Sequence, residues 1–144
     1  MKKNLLLIII LNSFFIFSFS SNIFAKKAAI VIDFDTEEVL FEVNADTRNY
    51  PASLTKIMTL YILFDYIKKG NLGYDSQLSV SSVAASRSPS KLYLEEGSSI
   101  KVIDAVNALI IKSANDVATV VSENISGSEK EFAKLMTSYA KNLG

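Results

Sequence analysis

The chain of 144 residues contains no cysteine and no histidine. Those absences remove the Ser-His-Asp triad, the Cys-His dyad and the usual zinc sites built from His and Cys. A nucleophile here has to be Ser, Thr, Tyr, Lys or a carboxylate. A strong general base has to be Lys, Tyr, Asp or Glu. Without cysteine, disulfides play no part in stability. The formal net charge is zero, so no global basic field favours nucleic acid, and a carboxylate-rich tail is also missing. Internal repeats and linkers are absent, and the length corresponds to one domain or part of one.

Residues 1–25 differ from the rest. Lys2 and Lys3 precede two apolar stretches, Leu5 to Ile10 and Leu11 to Phe19, broken by Asn12, Ser13 and Ser18. Ser20, Ser21 and Asn22 then turn polar, and Ala25 is small enough for a cleavage site, although Ile23 is bulkier than the residue usual at −3. This is the layout of a secretory signal peptide. The apolar run is short for a membrane span, which needs about 20 residues. The expectation is export and removal of 1–25, with 26–144 in the periplasm or on the outer face of the inner membrane. The alternative is an uncleaved anchor, which would be the one membrane contact.

The remainder reads as alternating short strands and helices. Ala28 to Ile32 and Val39 to Val43 are β-branched, apolar runs around a polar turn, which predicts a hairpin over 28–43. From Ser53 to Ile67 apolar residues cover nearly every face of a helix, the pattern of a helix buried in a core. Pro51 before it, Lys68 and Lys69 in its last turn and Gly70 after it are matching punctuation. Ser76 to Val83 has room for a short strand and Ser86 to Lys91 reads as a loop. Helices are expected over Val102 to Ile111 and over Asp116 to Ile125, the latter closed by Gly127. Ser128 and Glu131 form a capping box that opens a last helix from Glu129 to about Asn142.

With histidine absent, a serine nucleophile needs another base, and a lysine can serve when its amine is desolvated or crowded by another cation so that a useful fraction is neutral. Residues three apart on a helix share a face, so Ser-x-x-Lys at a helix start puts an amine beside a hydroxyl. The helix dipole there favours a developing anion. The spacing occurs four times, at Ser53/Lys56, Ser88/Lys91, Ser98/Lys101 and Ser138/Lys141. Ser88 precedes Pro89 in a loop, Ser98 lies in a polar stretch, and Ser138/Lys141 falls late in an amphipathic helix. Ser53/Lys56 heads the apolar helix, among Leu, Ile and Met. The plain alternative is a helix-capping serine with a snorkelling lysine. A second constellation, Ser113-Ala114-Asn115, sits at the break between two helices, where a hydroxyl and an amide can both enter a cleft. Its plain alternative is that Ser113 or Asn115 caps the helix starting near Asp116.

The block Pro51-Ala52-Ser53-Leu54-Thr55-Lys56-Ile57-Met58-Thr59 resembles the active-site segment of the serine D-alanyl-D-alanine carboxypeptidases, the low-molecular-mass penicillin-binding proteins. Ile110-Ile111-Lys112-Ser113-Ala114-Asn115-Asp116 resembles that family's second motif. The hairpin, Ala45-Asp46, Ser90-Lys91-Leu92 and Gly127-Ser128-Glu129 also match, so the resemblance covers nearly all of 28–144 in the family's order. Class A β-lactamases have Ser-Asp-Asn at the second motif, and Ala114 leans instead toward the carboxypeptidases. The resemblance implies an α+β fold of the β-lactamase/transpeptidase type, a helical cluster with an antiparallel sheet. It implies Ser53 as nucleophile, Lys56 as base, Ser113 as proton relay, and Asn115 as a substrate-binding residue that also fixes Lys56. The substrate would be the peptidoglycan stem peptide, with β-lactams as inhibitors and no metal or organic cofactor.

One motif departs from the pattern. The family's Lys-Thr-Gly on a sheet-edge strand, which supplies an oxyanion donor and binds the substrate carboxylate, is missing; Lys68-Lys69-Gly70 is a helix end. Loss of one such donor costs roughly 10²–10³ in rate. The expectation is therefore an amino-terminal portion of the peptidase domain, truncated before the later strands, with little or no turnover by 26–144 alone. A two-stranded hairpin without sheet partners is marginal. Glu37 stands where the family often has Gly, which bears on the turn type. The alternatives are a non-catalytic remnant or binding fragment, a cell-wall D,D-endopeptidase of the same family, and a small membrane-anchored helical protein with coincidental motifs.

Overall fold

A computed structural model describes residues 27–144; the expected signal peptide, 1–25, lies outside the described residues. The chain divides at Tyr50/Pro51 into two units. In the first, β1 (Ala29–Ile32) pairs antiparallel with β2 (Val39–Val43), Ala29 facing Val43 and Val31 facing Phe41. Ile32 then faces Val39, so Leu40 is an extra residue bulged from β2. The turn is organised by Asp33. Its Oδ1 accepts the Thr36 N–H and hydroxyl, each at 2.9 Å, and the Asp35 N–H at 3.1 Å. The Thr36 backbone N–H, foremost among these donors, holds the Asp33 carboxyl below the usual aspartate value. Glu37 takes φ +59°, a left-handed conformation that glycine adopts without a Cβ penalty.

In the second unit a 3₁₀ turn, Ala52–Leu54, runs into helix α1 (Thr55–Lys68). A second ribbon joins β3 (Gln77–Ser79) to β4 (Ser99–Lys101), with Leu78 facing Ile100. The short helix α2 (Ser82–Ala85) lies between them in sequence, and α3 (Val102–Asn107) follows β4. A π-helical segment, Ala108–Lys112, continues α3; α4 (Asn115–Ser126) and α5 (Glu129–Leu143) complete the unit. Ile62, Leu63, Leu78, Val102, Val117, Val120 and Val121 are the large apolar side chains with essentially no exposure. Each contributes on the order of 1.5–3 kcal/mol by leaving water.

The caps follow the sequence. Gly127, at φ +77°, closes α4 in the left-handed conformation that lets its N–H reach the Glu123 carbonyl. Ser128 Oγ accepts the Glu131 N–H at 3.2 Å and opens α5. The reciprocal half of the expected capping box is replaced, because the Glu131 carboxylate pairs with Lys134 at 2.7 Å instead. Ser128→Ala is expected to cost about 1 kcal/mol, read as a lower urea midpoint; an unchanged midpoint would mean that the bond does not stabilise α5.

Three expectations change. First, α1 is not buried on all sides. It packs on α4 and α5 and buries Thr59, Ile62 and Leu63, while Leu54 and Ile57 remain 66% and 64% exposed and Tyr61 and Phe64 are also exposed. Apolar composition all round a helix permits burial everywhere, but only faces that meet another element are covered. Second, the helix expected over Val102 to Ile111 widens into a π turn at Ala108, and the Ser113 N–H reaches back to the Ala108 carbonyl. Third, β4 forms in the polar stretch around Ser98, where no strand was expected. The Ser76 to Val83 strand shortens to β3, held by Asn124. The Asn124 amide accepts the Ser79 N–H at 3.0 Å and donates to the Ser79 carbonyl at 2.9 Å, as a neighbouring strand would.

Candidate active site

Pro51 and the 3₁₀ turn deliver Ser53 to the surface three residues ahead of Lys56, in continuous helical geometry. Ser53 is therefore on the turn that precedes α1 rather than inside the helix. Ala52 just before it has φ +49°. A left-handed non-glycine residue is uncommon and strained, and such strain concentrates at functional positions.

Lys56 is half-buried. Its Nζ donates to Asn115 Oδ1 at 2.8 Å, across 59 positions of sequence. Burial pushes the amine below the usual lysine value of 10.5, because removing water disfavours the charged form. The other three lysines with the same spacing have other surroundings. Lys91 donates to the Ala85 carbonyl at 3.0 Å and lies over the Tyr93 ring. Lys101 pairs with Asp75 at 2.9 Å, which raises its pKa. Lys141 is exposed in the last turn of α5.

Ser113 ends the π segment at φ +54°, ψ +41°. It does not cap α4: the residue preceding that helix is Ala114, and no side chain caps it. The backbone reversal at Ser113 starts α4 with Asn115. The Asn115 amide is held on both sides. Its Oδ1 accepts from Lys56 and its Nδ2 donates to the Ser88 carbonyl at 3.0 Å. Its backbone N–H donates to the Ser90 carbonyl at 2.7 Å. A carboxamide has two N–H donors, so the second hydrogen of Asn115 Nδ2 is available to an incoming carbonyl.

The structure thus brings Lys56 and Asn115 into contact, with Ser53 one turn ahead of the first and Ser113 two residues ahead of the second. A pocket of about 410 Å³ opens beside Asn115, bordered by Arg87, Thr119 and Glu129, and is not lined by Ser53, Lys56 or Ser113. Its polar wall is already paired: Arg87 Nε donates to Thr119 Oγ1 at 2.9 Å, the Arg87 guanidinium pairs with Glu129, and Thr119 Oγ1 donates to Glu129 Oε1 at 2.6 Å. Sequence reasoning missed the carbonyls of Ser88 and Ser90 as partners of Asn115, and the buried carboxylate of Asp116. Backbone acceptors carry no residue-type signal. Asp116 differed from an ordinary first-turn acid only in its burial.

The chain is similar to known proteins over most of its length. The family model described as D-alanyl-D-alanine carboxypeptidase, peptidase S11, matches residues 17–144. The chain is 39% identical over 118 residues to D-alanyl-D-alanine carboxypeptidase DacF of Bacillus subtilis, covering 82% of this chain and 30% of the relative. It thus spans less than a third of that relative's length. The crystal structure of the D-alanyl-D-alanine carboxypeptidase DacD from Francisella tularensis superimposes with a TM-score of 0.77 at 39% identity, covering 81% of this chain and 28% of that one. Penicillin-binding protein D2 from Listeria monocytogenes, solved in the ampicillin-bound form, gives a TM-score of 0.71 at 30% identity, covering 85% of this chain and 49% of that one. The fold is the penicillin-recognising α+β fold, and the chain belongs to the D-alanyl-D-alanine carboxypeptidase family.

Proposed function

We propose that this chain carries the acylating centre of an exported serine D-alanyl-D-alanine carboxypeptidase. The observation that carries the reading is the half-buried Lys56 amine, bonded to Asn115 one helical turn from Ser53. A desolvated lysine has a larger neutral fraction at a given pH and can act as a base without histidine. Ser53 Oγ attacks the carbonyl of the penultimate D-alanine of a peptidoglycan stem peptide while Lys56 takes its proton. Ser113 passes a proton to the nitrogen of the departing D-alanine, and Asn115 offers its second amide hydrogen to the substrate backbone. Water then attacks the Ser53 ester and frees the shortened peptide.

A β-lactam would acylate Ser53 through the same attack, its ring amide taking the place of the scissile bond. The likeness to a penicillin-binding protein solved with ampicillin supports this. Residues 1–25, with their paired lysines and apolar run, support secretion to the periplasm or the outer face of the inner membrane. Residues 26–144 are then the amino-terminal part of the peptidase domain. The test is incubation with a fluorescent penicillin followed by peptide mapping. An adduct on the peptide containing Ser53 is expected; no adduct, or one mapping elsewhere, favours a non-catalytic remnant.

A further inference from the structure

Asp116 is fully buried, and none of the ion pairs among the described residues includes it. Its carboxylate is met by backbone N–H groups alone. Oδ1 and Oδ2 accept the Leu92 N–H at 3.1 and 3.0 Å, Oδ2 accepts the Leu94 N–H at 3.2 Å, and Oδ1 accepts the Val117 N–H at 2.9 Å. A buried carboxylate is costly unless such donors surround it. Two of these donors belong to the loop that runs past the candidate site. Nearer its start, the same loop supplies the Ser90 carbonyl to the Asn115 N–H at 2.7 Å and the Ser88 carbonyl to Asn115 Nδ2 at 3.0 Å. Ser90 Oγ also donates to the Lys112 carbonyl at 2.7 Å. Residues 88–94 are therefore stapled to 112–117 at both ends, around Ser113.

We infer that Asp116 is a positioning residue: by gripping Leu92 and Leu94 it holds the 88–94 loop against Asn115, and so keeps the Asn115 amide aimed at Lys56. The inference rests on reading Ser53, Lys56, Ser113 and Asn115 as one site. The hydrogen bonds of the Asp116 carboxylate reach Leu92, Leu94 and Val117 rather than Ser53 or Lys56, so its effect passes through the loop and Asn115. Asp116→Asn keeps the size of the side chain but replaces one acceptor by an NH₂ group facing backbone donors. That breaks the grip at one end of the staple.

The experiment reads Lys56 itself and needs no turnover. Trace acetylation of the amines across a pH series, with mass-spectrometric readout, titrates Lys56 against unstructured lysine peptides added as references. In the wild-type chain Lys56 is expected to titrate below those references. In Asp116→Asn the amine loses an acceptor that favours its charged form, so its titration should move further below them, and at a fixed mildly alkaline pH it should be acetylated several-fold faster. Faster amide exchange at Leu92 and Leu94 should accompany this, while protection at Val120 and Val121 shows that the core is intact. If Asp116→Asn does not fold, Ser90→Ala removes the exposed hydroxyl bond at the other end of the staple. A smaller move in the same direction is then expected. A depressed Lys56 that the folded variants leave unmoved overturns this inference alone. A wild-type Lys56 that titrates with its references overturns the site reading and this inference with it.

Discussion

Lys56→Met is expected to slow acylation of Ser53 by a fluorescent penicillin about 10²–10⁴-fold, the usual contribution of a positioned general base. Methionine keeps the length and apolar stem that α1 needs, so the core should survive while the amine is lost. Lys56→Arg should be nearly as slow, because a guanidinium keeps the charge but cannot give up its proton near neutral pH. That variant separates a base from a mere cation. The pH profile adds an independent sign. Burial lowers the Lys56 pKa from 10.5, so the neutral form grows as pH rises through the depressed value. The wild-type rate should climb over that range, and the Lys56→Met rate should lack the limb. Ser53→Ala should form no adduct at any pH. Equal acylation rates in wild type and Lys56→Met would remove the amine from the mechanism.

Leu63→Ala is expected to destabilise the second unit by about 2–5 kcal/mol, combining lost transfer energy with a residual cavity. Leu63 has 0% exposure and lies in the core with Ile62, Val117, Val120 and Val121. Urea denaturation followed by far-UV circular dichroism would read the loss as a lower midpoint with an unchanged slope. The matched control is Ile57→Ser on the same helix. Ile57 is 64% exposed, and a surface change of this kind is usually within about 0.5 kcal/mol. Two apolar residues less than two turns apart should thus differ several-fold in cost. Comparable losses at both positions would show that the outer face of α1 is covered in solution.

The local elements were legible because their signals are local. β-branched runs around Asp33 to Glu38 specify the hairpin. Gly127 and the Ser128/Glu131 pair mark where α4 ends and α5 begins. Other features were not legible for equally physical reasons. The π turn at Ala108–Lys112 differs from an α-helix in hydrogen bonds that span one residue more, and the apolar pattern of Ala108 to Ile111 suits either. β4 is a polar segment, Ser99–Lys101, that becomes a strand because β3 lies beside it. Asn124 stands in sequence as an ordinary amide near a helix end, and only its bonds to Ser79 show that it closes a strand edge.

The sequence by itself determined the chemistry available: without histidine, a serine nucleophile needs another base, which a lysine can supply, and the Ser53/Lys56 pair stands at the head of an apolar helix. It also determined the caps and the helix-rich second unit, since these depend on residues within a turn of one another. Tertiary structure decided which of the four lysines at this spacing loses its water and finds the Asn115 amide. It decided which face of α1 is buried, and it turned Asp116 from an ordinary first-turn acid into the carboxylate that holds the 88–94 loop. Desolvation and hydrogen bonds between residues tens of positions apart exist only once the elements have packed, and no local pattern encodes them.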